Sequence, residues 1–343
     1  MKQTVRKYIV NFILIFVFAF IAIYFSIHKQ FDEIVNALLN ANVVWLLIIL
    51  VIAMTPHFIQ GIILTILARL YNPNYRFKQG VSNSFIGALF SGLTPFASGG
   101  QFFQTFAFSK QGLSTTSAIS VLLMEFIVFQ STLVIYTFVI LAVKFQEYTS
   151  KISSLFSLAL IGFSINLFVF CMLFFATKSK NVQYFLTNVT LKILAKLRII
   201  KNYEIKKQAL ETKIVQFRSE VKTLIKNKKV ILITVILNIL RLTTMFSIPF
   251  FIMFALNIKT SVAFLDFLSV CAFLHMITSF IPIPGASGGS EGGYVLFFGS
   301  FIGMIEASSS MILWRFATYY LLLIVGFLVF GLDRDLNSRR VKI

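Results

Sequence analysis

The stretch Ser279–Phe298, SFIPIPGASGGSEGGYVLFF, sets two prolines, five glycines and a glutamate in one of the most apolar parts of the chain. Proline removes a backbone donor and glycine permits tight turns. The residues therefore predict a membrane helix broken inside the bilayer. Freed N–H and C=O groups at that depth must be satisfied by protein or by a watery cavity. A charge beside the break, Glu291, points to function, because ionisable groups inside spans are expensive and rare.

The surrounding sequence fixes the class. Hydrophobic residues make up 58% of the 343, charged residues 13%, and mean hydropathy is +0.87. Soluble domains carry about 25% charged residues. Continuous apolar runs of about 20 residues suit helices that cross a bilayer, whereas barrel strands alternate apolar and polar. The expected fold is an all-α polytopic membrane protein. Full spans are expected at Tyr8–Ile27, Val43–Leu67, Ile119–Val143, Leu155–Ala176, Val230–Leu256 and Met311–Leu332. No small-residue cleavage site follows Ile27, so the first is read as an uncleaved helix. No phosphate-loop, HExxH or GxSxG signature is present. Cys171 and Cys271 lie singly in apolar runs and read as core residues.

Two apolar regions are interrupted. Val81–Phe108 is broken by SGLTPFASGGQ, and Ser261–Ile305 by the opening stretch. Pro95-Phe96-Ala97-Ser98-Gly99-Gly100 matches Pro284-Gly285-Ala286-Ser287-Gly288-Gly289 at five of six positions. Each break lies between one full span and the next. The positive-inside rule places the basic segment Lys178–Lys229, with Arg69, Arg76, Lys78 and Lys110, on the cytoplasmic side. Lys2, Arg6, Lys7 and the C-terminal Arg334, Arg339, Arg340 and Lys342 join them, so both termini are cytoplasmic. That assignment holds if each broken region enters and leaves on one side. The second is also long enough for two crossings. The expectation is a single membrane domain over 1–343. It has about six spans and two re-entrant hairpins, arranged as an inverted repeat (about 43–143 and 230–332). In transporters of that design, paired breaks mark the binding site. Small residues that only permit close helix packing are the alternative.

Segment 178–229 carries apolar stripes at Leu186, Val189, Ile193, Leu197 and Ile200, and at Leu210, Ile214, Phe217, Val221 and Leu224. Two readings suit it: a basic helix lying on anionic lipid, or a cytoplasmic hairpin packed on the bundle. It also accounts for much of the net charge of +19, which leaves little weight for nucleic acid.

Residue by residue, the candidate lipid-binding set is Pro95, Ser98, Gly99, Gly100, Gln101 and Gln104 at the first break, and Pro284, Ser287, Gly288, Gly289 and Glu291 at the second. Glu125 and Arg315 complete it. Shifted by the 189 residues that separate the two prolines, Glu125 falls beside Arg315. The two therefore suggest a pair across the core, with lipid phosphate as the alternative partner of Arg315. Arg241 reads as snorkelling toward the cytoplasmic face. His57 and His275 lack a second ligand at helical spacing and read as structural. No metal, cofactor or catalytic residue is expected.

LTPFASGGQ (Leu93–Gln101) and FIPIPGASGGSEGGY (Phe280–Tyr294), in this order, resemble the lysylphosphatidylglycerol synthase transmembrane-domain family, which includes the membrane half of the bacterial multiple-peptide-resistance proteins. The resemblance runs from about Val43 to Leu332. It implies a lipid-handling bundle in the bacterial cytoplasmic membrane that flips a phospholipid, with aminoacylated phosphatidylglycerol as one substrate. The chain ends at Ile343, soon after the last span, so the family's soluble aminoacyltransferase domain is not expected. Glycolipid and polyprenyl-phosphate carriers stay open as substrates. So does a role as membrane subunit of a lipid-modifying enzyme, with a separate synthase or transferase chain docked on it, and so do a lipid-binding scaffold and a homodimer.

Overall fold

The structure, a computed structural model, describes residues 39–151, 153–178, 203–279 and 281–333, with Asn36 and Leu336. The expected span Tyr8–Ile27, the stripe from Leu186 to Ile200, and the cations near both termini lie outside the described residues. Among the described residues there is no strand.

The first half runs α1 (Val43–Ala68), α2 (Phe77–Gly92), a 3-10 turn at Pro95–Ala97, α3 (Ser98–Lys110) and α4 (Thr115–Lys151). Then come α5 (Ser153–Lys178) and α6 (Tyr203–Lys226). The second half runs α7 (Lys228–Ala255), α8 (Phe264–Thr278), a 3-10 turn at Pro284–Ala286, α9 (Gly289–Ile302) and α10 (Met304–Leu332). Long helix, short helix, proline turn, short helix, long helix is the order in both halves. α1, α4, α7 and α10 are long and apolar enough to cross a membrane. α5 adds the apolar stretch Phe156–Met172. α1, with 26 residues, is about 39 Å long at 1.5 Å per residue, against a hydrocarbon core of about 30 Å. The four short limbs have 16, 13, 15 and 14 residues. At about 20–24 Å each, none reaches across alone.

Local chemistry sets the ends. Asn42 caps α1 by accepting from the N–H groups of Val44 and Trp45 at 3.0 and 3.4 Å, as an N-cap asparagine does. Its own N–H donates to the Ala255 carbonyl at 2.7 Å. The start of α1 is thereby tied to the end of α7, and the two long helices pack antiparallel. Each carries an internal proline, Pro56 and Pro249. A proline there cannot bond the carbonyl four residues back, which frees the carbonyls of Ile52 and Met245.

In lipid, apolar side chains gain little by leaving a solvent as oily as themselves, so close backbone approach carries more of the packing. Gly326 of α10 is the clearest case. A Cβ there would lie 2.8 Å from the Phe85 carbonyl oxygen and from Leu89 Cβ, so only glycine lets α10 lie on α2. A larger core around Phe246, Phe267, Phe273, Tyr294 and Phe298 joins α4 and α7 to α10. A second cluster around Ile63, Leu64, Phe108 and Val121 joins α1, α3 and α4 and takes in Leu224 of α6. That helix is thus packed on the bundle at its C-terminal end. Its buried Glu220 accepts from Tyr71 and Ser120 Oγ, each at 2.6 Å. Burial, then the bond to Glu220, pushes the Tyr71 phenol up.

Candidate functional site

The two proline turns share one backbone. After Pro95, Phe96 and Ala97 both take φ 53°, and after Pro284, Gly285 and Ala286 take φ 61° and 50°. Left-handed backbone costs a non-glycine residue roughly 1–2 kcal/mol, so Phe96, Ala97 and Ala286 hold these angles only because their surroundings impose them. The turns then diverge. Ser98 continues straight into α3, with the Gly99 N–H held by Thr94 Oγ1 at 2.8 Å. Ser287 stays extended and Gly288, at φ 87°, delays α9 to Gly289. The two turns pack against each other. Breaks about 190 residues apart in sequence therefore form one site.

Glu291 and Arg315 lie at its centre. Arg315 Nε stands 2.8 Å from Glu291 Oε1, with the side chains 6% and 0% exposed. The angle falls short of a straight hydrogen bond, so the pair is held by charge. Glu291 Oε2 accepts the Gly288 N–H at 2.7 Å, the usual use of an acid at a helix start. Arg315 Nη2 donates to the Gly285 carbonyl at 2.6 Å and to Ser287 Oγ at 3.2 Å, and the guanidinium lies 4.1 Å over the Tyr319 ring. One arginine thus fixes the second turn by its charge, its fork and its flat face. A π turn, Phe316–Tyr320, follows it directly and swings Tyr319 back toward Gly92, whose carbonyl accepts the phenol at 3.1 Å.

Between the turns lies a cavity of about 390 Å³. Phe96 and Ala97 wall it from one hairpin, Gly285, Ala286 and Ser290 from the other, and Arg315 from α10. His57, His275, Trp314 and Tyr319 also line it. His57 Nδ1 is buried with no hydrogen-bond partner. Sequence reading missed both histidines as site residues because each is alone on its helix. They converge only in three dimensions. Their common signal was a ring nitrogen in an apolar span, His57 beside a helix-breaking proline.

Other expected residues fall elsewhere. Gln104 does not line the cavity. It is buried against α2, where its carbonyl accepts from Asn83 Nδ2 at 3.2 Å and its Nε2 donates to the Asn83 carbonyl at 3.4 Å. Gln101 is exposed, and Gly100 is buried against Ser91, whose Oγ leaves no room for a Cβ. Pro95, Ser98 and Gly288 are exposed at the turns, with Ser98 Oγ bonded to the Pro95 carbonyl. Pro284 and Gly289 are half-buried there, and Ser287 is buried under Arg315.

Glu125 is paired with a different arginine from the one its offset suggested. Arg241 Nη1 lies 2.9 Å from Glu125 Oε1, with both side chains 14% exposed. Gln60 Nε2 donates to the same oxygen at 3.2 Å, and Ser84 Oγ donates to Gln60 Oε1 at 2.8 Å. Arg241 therefore points into the bundle and does not snorkel. An interior carboxylate with hydrogen-bond donors around it offers more than a lipid interface does. The network joins α1, α2, α4 and α7. It lies one helical turn from cavity residues His57, Ala88 and Met245 on three of those helices.

Farther along, α4 and α10 each end on the other half's hairpin. Lys144 Nζ of α4 lies 2.8 Å from Asp266 Oδ1 of α8, which also accepts the Tyr148 phenol at 2.7 Å. Just past α10, Asp333 accepts from Ser82 Oγ of α2. Lys144 and Asp333 are 189 residues apart, the same interval as Pro95 and Pro284. Among the described residues no group of three His, Cys, Asp or Glu side chains is placed to hold a metal.

Comparison with known families gives one match, to the Lysylphosphatidylglycerol synthase TM region, over residues 9–326. No curated protein matches the chain.

Proposed function

The chain belongs to the lysylphosphatidylglycerol synthase transmembrane family, a multi-pass membrane protein with a lipid-related role, and we propose that it carries a phospholipid from one leaflet to the other. The lipid headgroup enters the cavity between the hairpin turns while the acyl chains stay in the bilayer. The two halves act as inverted repeats in a bacterial cytoplasmic membrane, with both termini inside.

The observation that carries this reading is the meeting of the two broken turns over the buried pair Glu291–Arg315. Broken helices at membrane depth are tolerated where they line a cavity, and paired breaks from opposed repeats are how many transporters build a midplane site. The reciprocal ties of α4 and α10 supply opposed latches. Lys144–Asp266 closes the outer side and Asp333–Ser82 the inner side, and the halves rock as one or the other opens. Glu125 and Arg241 plug the inner end of the cavity between cycles. Exposed Lys222, Lys226, Lys228 and Lys229 gather anionic lipid at the inner leaflet, at about 1 kcal/mol for each.

The test is reconstitution in vesicles holding fluorescent phosphatidylglycerol, with dithionite added outside to quench the accessible leaflet. Crossing faster than in protein-free vesicles is expected. An unchanged rate for every headgroup tried would sink the transport reading.

A further inference from the structure

We propose that the cavity between the hairpin turns selects a neutral, hydroxyl-rich part of its ligand, a polyol of glycerol or sugar type. This rests on the lipid reading above and deepens it. The argument begins with donors and acceptors. Four hydroxyl side chains line the cavity: Thr278, Ser279, Thr318 and Tyr319. Each spends its proton on a main-chain carbonyl, those of Leu274, His275, Trp314 and Gly92, at 2.8, 2.6, 2.7 and 3.1 Å. A hydroxyl whose proton is spent has only lone pairs left to offer. His57 Nδ1 adds a buried nitrogen without a partner, and a buried polar atom of that kind is costly until something bonds it. The lining is therefore rich in acceptors that await donors.

Three ligand chemistries compete for such a lining. A phosphate brings acceptors alone and leaves the hydroxyl lone pairs and an acceptor nitrogen unmatched. An ammonium brings donors, but no carboxylate is among the described residues that line the cavity, and an unpaired charge out of water is expensive. Glu291, the nearby acid, is fully buried and already holds Arg315 and the Gly288 N–H. That pairing also cancels the charge of Arg315. A hydroxyl both donates and accepts, carries no charge, and suits every group on the wall. The flat faces of Trp314 and Tyr319 give the carbon side of a polyol an apolar surface. The phosphate of a lipid would then sit at the mouth and the polyol inside.

The chain has two tryptophans, and Trp314 lines the cavity. The variant Trp45→Phe leaves Trp314 as the only reporter. Its fluorescence is titrated in detergent with dioctanoyl phosphatidylglycerol, with dioctanoyl phosphatidylpropanol, which has the same charge and no hydroxyl, with dioctanoyl phosphatidylethanolamine, and with a short-chain glucosyl diacylglycerol. The hydroxyl-bearing lipids should bind at least about tenfold more tightly than the other two, the weight of one net hydrogen bond. Whichever of the glycerol and glucosyl lipids binds more tightly names the source. His57→Phe should shrink that preference toward unity. Equal affinity for phosphatidylglycerol and phosphatidylpropanol would overturn the proposal, and so would a preference for the ethanolamine lipid. Because binding is read at equilibrium, tight polyol binding without crossing would leave this proposal standing and remove the transport reading alone.

Discussion

Glu291 and Arg315 hold each other at 2.8 Å with almost no exposure, and between them they fix the backbone of the second turn through Gly288, Gly285 and Ser287. Removing one partner of a buried pair leaves an uncompensated charge and costs about 3–5 kcal/mol, whereas replacing both with apolar groups is often close to neutral. Arg315→Met should therefore lower the unfolding temperature in detergent far more than the double variant Glu291→Leu, Arg315→Met. Equal losses would mean that the pair is not held as described.

The glycines of the second turn should differ in cost. A Cβ on Gly285 would lie 2.4 Å from Tyr319 Cε2, on a backbone already at φ 61°, while one on Gly288, at φ 87°, meets nothing within 4 Å. Gly288→Ala should cost roughly 1–2 kcal/mol from strain alone. Gly285→Ala should cost more and should also shift the fluorescence of Trp314, because it pushes Tyr319 aside. Thermal unfolding and emission spectra of the two variants check the order.

The two latches make opposite predictions. Cys271 lines the cavity and is 4% exposed, so with Cys171→Ser it becomes the single thiol reporter. Lys144→Met should raise its labelling by an impermeant maleimide from the outer face, and Asp333→Asn should raise it from the inner face. Right-side-out and inverted vesicles separate the two. Both variants acting on the same face would contradict opposed gates.

Helix α6 is held to the bundle by Glu220, which accepts from Tyr71 and Ser120. Glu220→Ala leaves two part-buried donors unmatched, at about 1–3 kcal/mol each, and should speed protease cleavage between Tyr203 and Lys226. The Tyr71 phenol is raised by burial and then by Glu220, so the folded state favours its protonated form. Its contribution is complete below the ordinary tyrosine value of about 10 and fades only as pH rises beyond it. Cleavage of the wild type should thus be flat from pH 7 to about pH 10, and a rise within that range would contradict the bond.

Spans and breaks were legible because they depend on local properties: run length, and proline and glycine in apolar sequence. The match of Pro95–Gly100 with Pro284–Gly289 foretold turns with the same left-handed backbone. Partners were not legible in the same way. Glu125 and Arg315 sit near equivalent places, but equivalence by offset says nothing of which helix faces which. α7 lies against α1 and α4, so Arg241 reaches Glu125 first, and Arg315 turns to the hairpin beside it. Gln104 failed as a cavity residue for a similar reason: one helical face separates it from the turn, and that face packs on Asn83. The histidines show the opposite failure. Each looked structural alone, and only the folded bundle brings both to one cavity.

The most direct measurement asks whether the two turns must part for lipid to cross. With Cys171 and Cys271 changed to serine, Ala97→Cys and Ala286→Cys place one thiol on each turn. A short cleavable dithiol crosslinker then ties them in reconstituted vesicles. The account predicts that crossing of fluorescent phosphatidylglycerol stops when the turns are tied and recovers when the link is reduced. Crossing that continues at the full rate in the tied protein would contradict it.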